Sequence, residues 1–185
     1  MEQALTVLER YHAVARAMAA DPLEILATAA MRDAENGPAF AAALRERMPG
    51  VPITVLSGEG EATLSAEGVL LGFPEADGIL GDIGGGSLEV VDLRHGRVGD
   101  SASLPLGVIR LAERAGGDMT QARAIAEAEL ARVPWLVNGK GRDLYLVGGA
   151  WRAIAKVHMV EANYPLSIVH HYVLTREEAR NLCGM

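Results

Sequence analysis

Along residues 2–19, Leu5, Leu8, Tyr11, His12, Ala15 and Met18 recur at helical spacing, which predicts an amphipathic helix ended by Asp21-Pro22. Residues 23–31 form a short apolar run followed by Arg32-Asp33, the pattern of a buried strand that delivers charge at its end. Asn36-Gly37-Pro38 then opens a helix to about residue 48, with Phe40, Ala43, Leu44 and Met48 on its inner face, and Pro49-Gly50 stops it. The β-branched stretch 52–57 predicts a second strand, and another helix begins after Ser57-Gly58. This half reads αβαβα.

From Gly78 the pattern changes. Two apolar runs, 78–83 and 88–93, flank Gly84-Gly85-Gly86-Ser87 as an antiparallel hairpin, and a third strand to about Leu104 follows the turn at Arg94-His95-Gly96-Arg97. Helices are expected over 108–114 and, capped by Thr120, to about Val133. A strand over 143–147 leads through Gly148-Gly149 into a helix ending near Met159. This half reads βββααβα. The expected organisation is therefore residues 1–74, residues 75–164, and a start of a C-terminal helical segment over 165–185.

Three antiparallel strands followed by alternating helix and strand resemble the unit of the actin-like (ribonuclease H-like) phosphotransfer fold, in which two such units face a cleft. The second half fits that unit, whereas the first fits only its later part, with two strands where a full sheet needs more. We therefore expect an α/β, actin-like two-lobe fold whose first lobe is incomplete, lacking an N-terminal meander. The alternative is a self-sufficient α/β layer over residues 1–74.

Composition narrows the chemistry. The chain has 185 residues, of which 50% are hydrophobic and 22% charged, enough for one full core or two small ones. Its net charge of −7 argues against nucleic acid or an anionic membrane as a partner, so a polyanionic substrate needs locally placed cations. Lys140 and Lys156 are the sole lysines, which leaves arginine, with its bidentate fork, to supply most positive charge. The single cysteine, Cys183, excludes an intrachain disulfide and reads as inert. The five histidines show no metal-ligand spacing, and adjacent His170 and His171 are expected to point different ways. Without a basic leader or a long apolar run at hand, a cytoplasmic location is expected.

The glycine hairpin is the strongest chemical signal. Glycines admit φ > 0 conformations that aim successive N–H groups into one concavity, and they let a phosphate approach the main chain. Asp82, at the strand end, is placed to hold Mg²⁺, an ion bound through one or two carboxylates and phosphate oxygens. A plain tight turn remains the alternative. Glu61, near the start of its helix, reads either as a base for water or as a helix cap, and Arg32 either as a phosphate contact or as an ion-pair partner of Asp33 or Glu35. Arg110 and Arg152, close to glycine-marked helix starts, are more simply surface residues.

Five segments together resemble the exopolyphosphatase and guanosine pentaphosphate phosphatase family. They are ATAAMRDA at 27–34, SGEGEA at 57–62, DIGGGSLE at 82–89, SLPLGVIRL at 103–111 and VGGAWRAIA at 147–155, in the family's order. The resemblance implies hydrolysis of the terminal phosphoanhydride of inorganic polyphosphate, or of the 5′ γ-phosphate of guanosine pentaphosphate, with Mg²⁺ as cofactor. It implies catalytic roles for Glu61 and Arg32, phosphate binding by Gly84, Gly85, Gly86, Ser87, Gly148 and Gly149, and metal association of Asp82 and Glu89. The family's first phosphate loop has no counterpart, in agreement with the strand order. Departures are Gly60 within the glutamate run, Leu88 and Ala150 where threonine is common, and His171 where glycine is expected. An actin-like small-molecule kinase and a non-catalytic phosphate-binding fragment are the competing functions. The chain alone is expected to be ordered in its second half, looser or self-associating as a homodimer in its first, and nearly inactive until the upstream segment is supplied.

Overall fold

The computed structural model describes residues 1–20 and 22–183. It divides into two compact units, Met1–Glu61 and Ala62–Met185. Among the described residues no helix is long and apolar enough to cross a membrane.

The first unit contains α1 (Glu2–Ala17), β1 (Ile25–Ala27), α2 (Ala29–Arg32), α3 (Gly37–Arg47), β2 (Ile53–Val55) and the first turn of α4 (Gly58–Gly72). Its two strands pair in parallel, Ile25 opposite Ile53 and Ala27 opposite Val55. Leu5, Leu44 and Met48 form the core, with Leu8, Ile25, Phe40 and Ile53 packed on it. The apolar stripe of α1 is buried at its start, whereas Tyr11 and Met18 are 69% and 76% exposed. Asp21, expected to end that helix, lies outside the described residues. The expected strand over 23–31 is shorter: it stops at Ala27, and Ala29–Arg32 turns into one helical turn. Thr28 breaks the strand, its carbonyl accepting from Met31 and Arg32 N–H, so Arg32 is delivered by a helix end rather than by a strand.

The second unit is built on β3 (Gly78–Ile83), β4 (Leu88–Arg94), β5 (Arg97–Leu104) and β6 (Asp143–Val147), in the order β5-β4-β3-β6. The first three are an antiparallel meander, and β6 joins β3 in parallel. Between them run α5 (Val108–Ala115), α6 (Met119–Leu130) and a 3-10 helix (Pro134–Gly139); α7 (Gly149–Glu161) and α8 (Arg176–Cys183) follow. Alternation along the strands gives each face its own core. Leu80, Val91 and Leu93 pack against Ala62 and Ala66 of α4, while Val90, Leu104 and Leu106 pack with Leu111, Ile125 and Val133. Burying each large apolar side chain is worth roughly 1.5–3 kcal/mol, so two faces give this sheet a firmer base than one.

Two local expectations need correction. The α6 cap is Asp118, whose Oδ1 accepts from Thr120 and Gln121 N–H, because Thr120 already lies inside the helix. Residues 165–175 contain no helix, which begins at Arg176. There Thr175 and Glu178 bond reciprocally, Glu178 Oε2 accepting from Thr175 N–H and Thr175 Oγ1 from Glu178 N–H.

Candidate functional site

In the second unit, the parallel pairing sets Asp82 beside Val147, so the segments leaving β3 and β6 emerge side by side. Gly84–Ser87 leaves one and Gly148-Gly149 the other. Such a crevice beyond the carboxyl ends of adjacent parallel strands is where α/β sheets bind ligands.

The hairpin loop is closed by Gly84 N–H donating to Ser87 O at 3.0 Å. None of Gly84, Gly85 and Gly86 has a left-handed φ, so the expected conformational reason for three glycines does not hold. At Gly85 a Cβ would meet Ile109 Cδ1 at 3.2 Å, a tight contact with the end of an exposed side chain. Ser87 is 4% exposed. Gly84 O accepts from Val108 N–H, and Gly85 O from Ile109 and Arg110 N–H, at 3.0, 3.0 and 3.2 Å. Gly148 is the glycine that needs positive φ, at +113°, and a Cβ there would fall 2.3 Å from Ile83 O and 3.3 Å from Asp82 Oδ1. Ile83 O and the Asp82 carboxylate thus pack directly against Gly148, where no side chain fits.

Asp82 and Glu89 stand directly opposite in the β3–β4 register, hence on one face, the face that packs on α4. Each is held by a serine: Ser65 Oγ of α4 donates to Asp82 Oδ2, and Ser103 Oγ of β5 donates to Glu89 Oε1 at 2.7 Å. Glu89 is 1% exposed. Asp82 Oδ1, beside Gly148, carries no hydrogen bond among the described residues. A carboxylate oxygen without a hydrogen bond is the kind of hard donor that suits Mg²⁺, which keeps most of its shell for water and phosphate. No group of three or more acidic, His or Cys side chains suited to a fully protein-bound ion occurs among the described residues.

Arg32 and Glu61 form their own cluster in the first unit. Arg32 Nη1 donates to Glu61 Oε2 at 2.9 Å and to Leu56 O at 3.1 Å, and Nε donates to Asp33 Oδ1 at 3.2 Å. Burial alone would lower the Arg32 pKa, but the hydrogen bonds to Glu61 and Asp33 outweigh it and hold the guanidinium above its ordinary value. Nη2 makes no hydrogen bond among the described residues. The helix cap is Ser57, whose Oγ accepts from Gly60 N–H at 3.0 Å, which frees Glu61 from that task. Arg32 does pair with Asp33, but it pairs with Glu61 as well.

Ser65, outside every motif, and Ser103, at the edge of the 103–111 segment, were not legible in the sequence as supports for the carboxylates. Arg110 is half-buried and Arg152 exposed. At the far end of the sheet, buried Asp92 binds Arg94 and Arg142, and Arg142 reaches Asp77, an ionic clasp with no sequence signature. His170 and His171 do not diverge: their rings lie 4.2 Å apart, and His171 stacks on Phe73. His171 has φ +59°, the left-handed geometry for which glycine is the easier residue. The side chain of Cys183 lies outside the described residues.

Comparison with known structures supplies the frame for these sites. An exopolyphosphatase from Cytophaga hutchinsonii superposes with a TM-score of 0.85 over 98% of this chain and 62% of its own, at 20% identity. A Ppx/GppA family member from Aquifex aeolicus gives 0.71 over 97% and 60%, at 26% identity, and an exopolyphosphatase-like protein gives 0.75 over 98% and 62%, also at 26%. The chain thus spans about three fifths of the length of these relatives, and shares their α/β, actin-like fold. The model of the Ppx/GppA phosphatase family matches residues 1–184, almost every residue carrying the features above, and the chain belongs to that family.

Proposed function

We propose that these residues serve hydrolysis of the terminal phosphoanhydride of inorganic polyphosphate, or of the 5′ γ-phosphate of guanosine pentaphosphate. The observation that carries this reading is the pair of glycine segments at the ends of β3 and β6, flanked by Asp82 and Glu89. Phosphoryl transfer asks a protein mainly for positioning and for charge opposite the equatorial oxygens. The N–H groups of the glycine loop and the Nη2 of Arg32 supply donors. Glu61 Oε1, left unengaged by Arg32, accepts the proton of the attacking water. The water oxygen bonds to the terminal phosphorus, the bridging P–O bond breaks, and its electron pair stays on the shortened chain. Asp82 and Glu89 would hold Mg²⁺, which when bound neutralises charge on the phosphate oxygens.

Two substrates and one competing class are separated by one assay on the longest natural polypeptide that contains these residues. Phosphate release from long-chain polyphosphate and from guanosine pentaphosphate is measured with Mg²⁺ and no phosphoryl acceptor. Release from either supports the reading, and the larger kcat/KM identifies the substrate. Transfer seen only when a hydroxyl acceptor is added identifies a kinase instead.

A further inference from the structure

The segment Ser103–Leu111 resembles a family motif, yet beyond Ser103, which holds Glu89, none of its residues has a part in the chemistry above. We propose that the start of α5, with Gly107, is the brace that turns the donors of the glycine loop toward phosphate. The inference rests on the reading of that loop as a phosphate site. Gly84 O and Gly85 O both point at the first turn of α5, where they accept from Val108, Ile109 and Arg110 N–H. In a trans peptide the N–H lies opposite the C=O. The N–H groups of Gly85 and Gly86 therefore point away from α5, and neither donates to a backbone carbonyl among the described turns and loops. Gly84 N–H is spent on Ser87 O, so that amide is not among the donors the loop can offer. The α5 amides, ordinarily a helix's own anion site, are consumed in this work and are not a second phosphate site.

Gly107 makes the approach possible. It is buried, and a Cβ there would lie 2.3 Å from Gly86 N and 2.4 Å from Gly85 C and O. Its φ of −58° and ψ of 148° suit many residues, so closeness to the loop, not backbone conformation, excludes a side chain.

The test uses the whole 185-residue chain. Val108→Pro removes one brace bond and sets the ring Cδ against Gly84 O while keeping the helix, because proline is favoured at the first helical position and the Gly107 ψ of 148° suits a residue before proline. Gly107→Ala crowds the loop directly. Met119→Pro is the control, a proline at the first position of α6, where the side chain is exposed and the cap bonds go to Thr120 and Gln121 instead. Tripolyphosphate binding with excess Mg²⁺ is measured by calorimetry, and the Gly85 and Gly86 amide resonances by NMR. The expected result is about tenfold weaker binding and shifted Gly85 and Gly86 resonances for Val108→Pro and Gly107→Ala, with Met119→Pro like the parent. Unmoved resonances, or parental affinity in Val108→Pro, overturn the brace. A parent that binds no tripolyphosphate instead overturns the phosphate-site reading, and the resonances still decide the brace.

Discussion

The Asp82 carboxylate shows how a single side chain is given a direction. One oxygen is bonded by Ser65 Oγ, and the other lies beside Gly148 with no hydrogen bond among the described residues. Removing Ser65 frees the carboxylate to rotate, and Asp82→Asn removes the charge while preserving shape. In Mg²⁺ titrations followed by phosphate release, Asp82→Asn is expected to raise the Mg²⁺ concentration for half-activation tenfold or more, on the order of the 10–100-fold effects seen around metal ligands. Ser65→Ala is expected to raise it less, and Ser65→Thr to restore it. Mg²⁺ activation unchanged in Asp82→Asn would put the metal elsewhere. At this scale the sequence was legible in part: Asp82 and the glycines stand in a contiguous motif, whereas Ser65 and Ser103 meet their carboxylates only through helix packing and strand register. The left-handed φ at His171, not at Gly84–86, carries the same lesson, because backbone conformation is set by the turn's hydrogen bonds as well as by residue type.

Elements were legible where period and punctuation agreed. The alternation in 78–104 and the isolated apolar run 143–147 produced strands close to those observed, and the glycines marked their ends. The run over 23–31 failed because apolar character does not separate a buried strand from a helical turn, and Thr28 ends the strand early. Joining α5 to α6 is Glu129, whose carboxylate accepts from Arg132 Nη1 at 2.7 Å and from Arg114 Nη2 at 2.9 Å. These two hydrogen bonds, that from Arg132 first, hold its pKa below the ordinary carboxylate value. A carboxyl depressed by folding adds stability above its unfolded pKa, and that stability is lost as pH falls through the lower folded value. Thermal unfolding followed from neutral pH downward should therefore show a loss near and below the ordinary Glu range of about 4.3 that Glu129→Gln diminishes. A parallel pH profile for Glu129→Gln and parent would assign no such linkage to this contact.

For the molecule as a whole, the order of strands and helices carried more information than any residue. A meander followed by alternating helix and strand resembled the actin-like unit, and the structural relatives share that fold; the structure adds that β6 pairs with β3 in parallel, across the connection that 108–139 supplies. The division at Glu61 falls within α4, and nothing in the hydrophobic pattern marks it, since the helix continues unbroken. The first unit rests on a two-stranded sheet and a small core, the second on a four-stranded sheet packed on both faces. The central claim, that Glu61 activates water for phosphoanhydride hydrolysis, is tested most directly by Glu61→Gln in the longest natural polypeptide containing these residues, with Mg²⁺ and saturating polyphosphate. The account predicts a fall in kcat of about a hundredfold or more, the scale of losing a general base, with tripolyphosphate affinity and thermal stability near those of the parent. A variant that releases phosphate at the parental kcat would contradict it and leave Glu61 as no more than the ion-pair partner of Arg32.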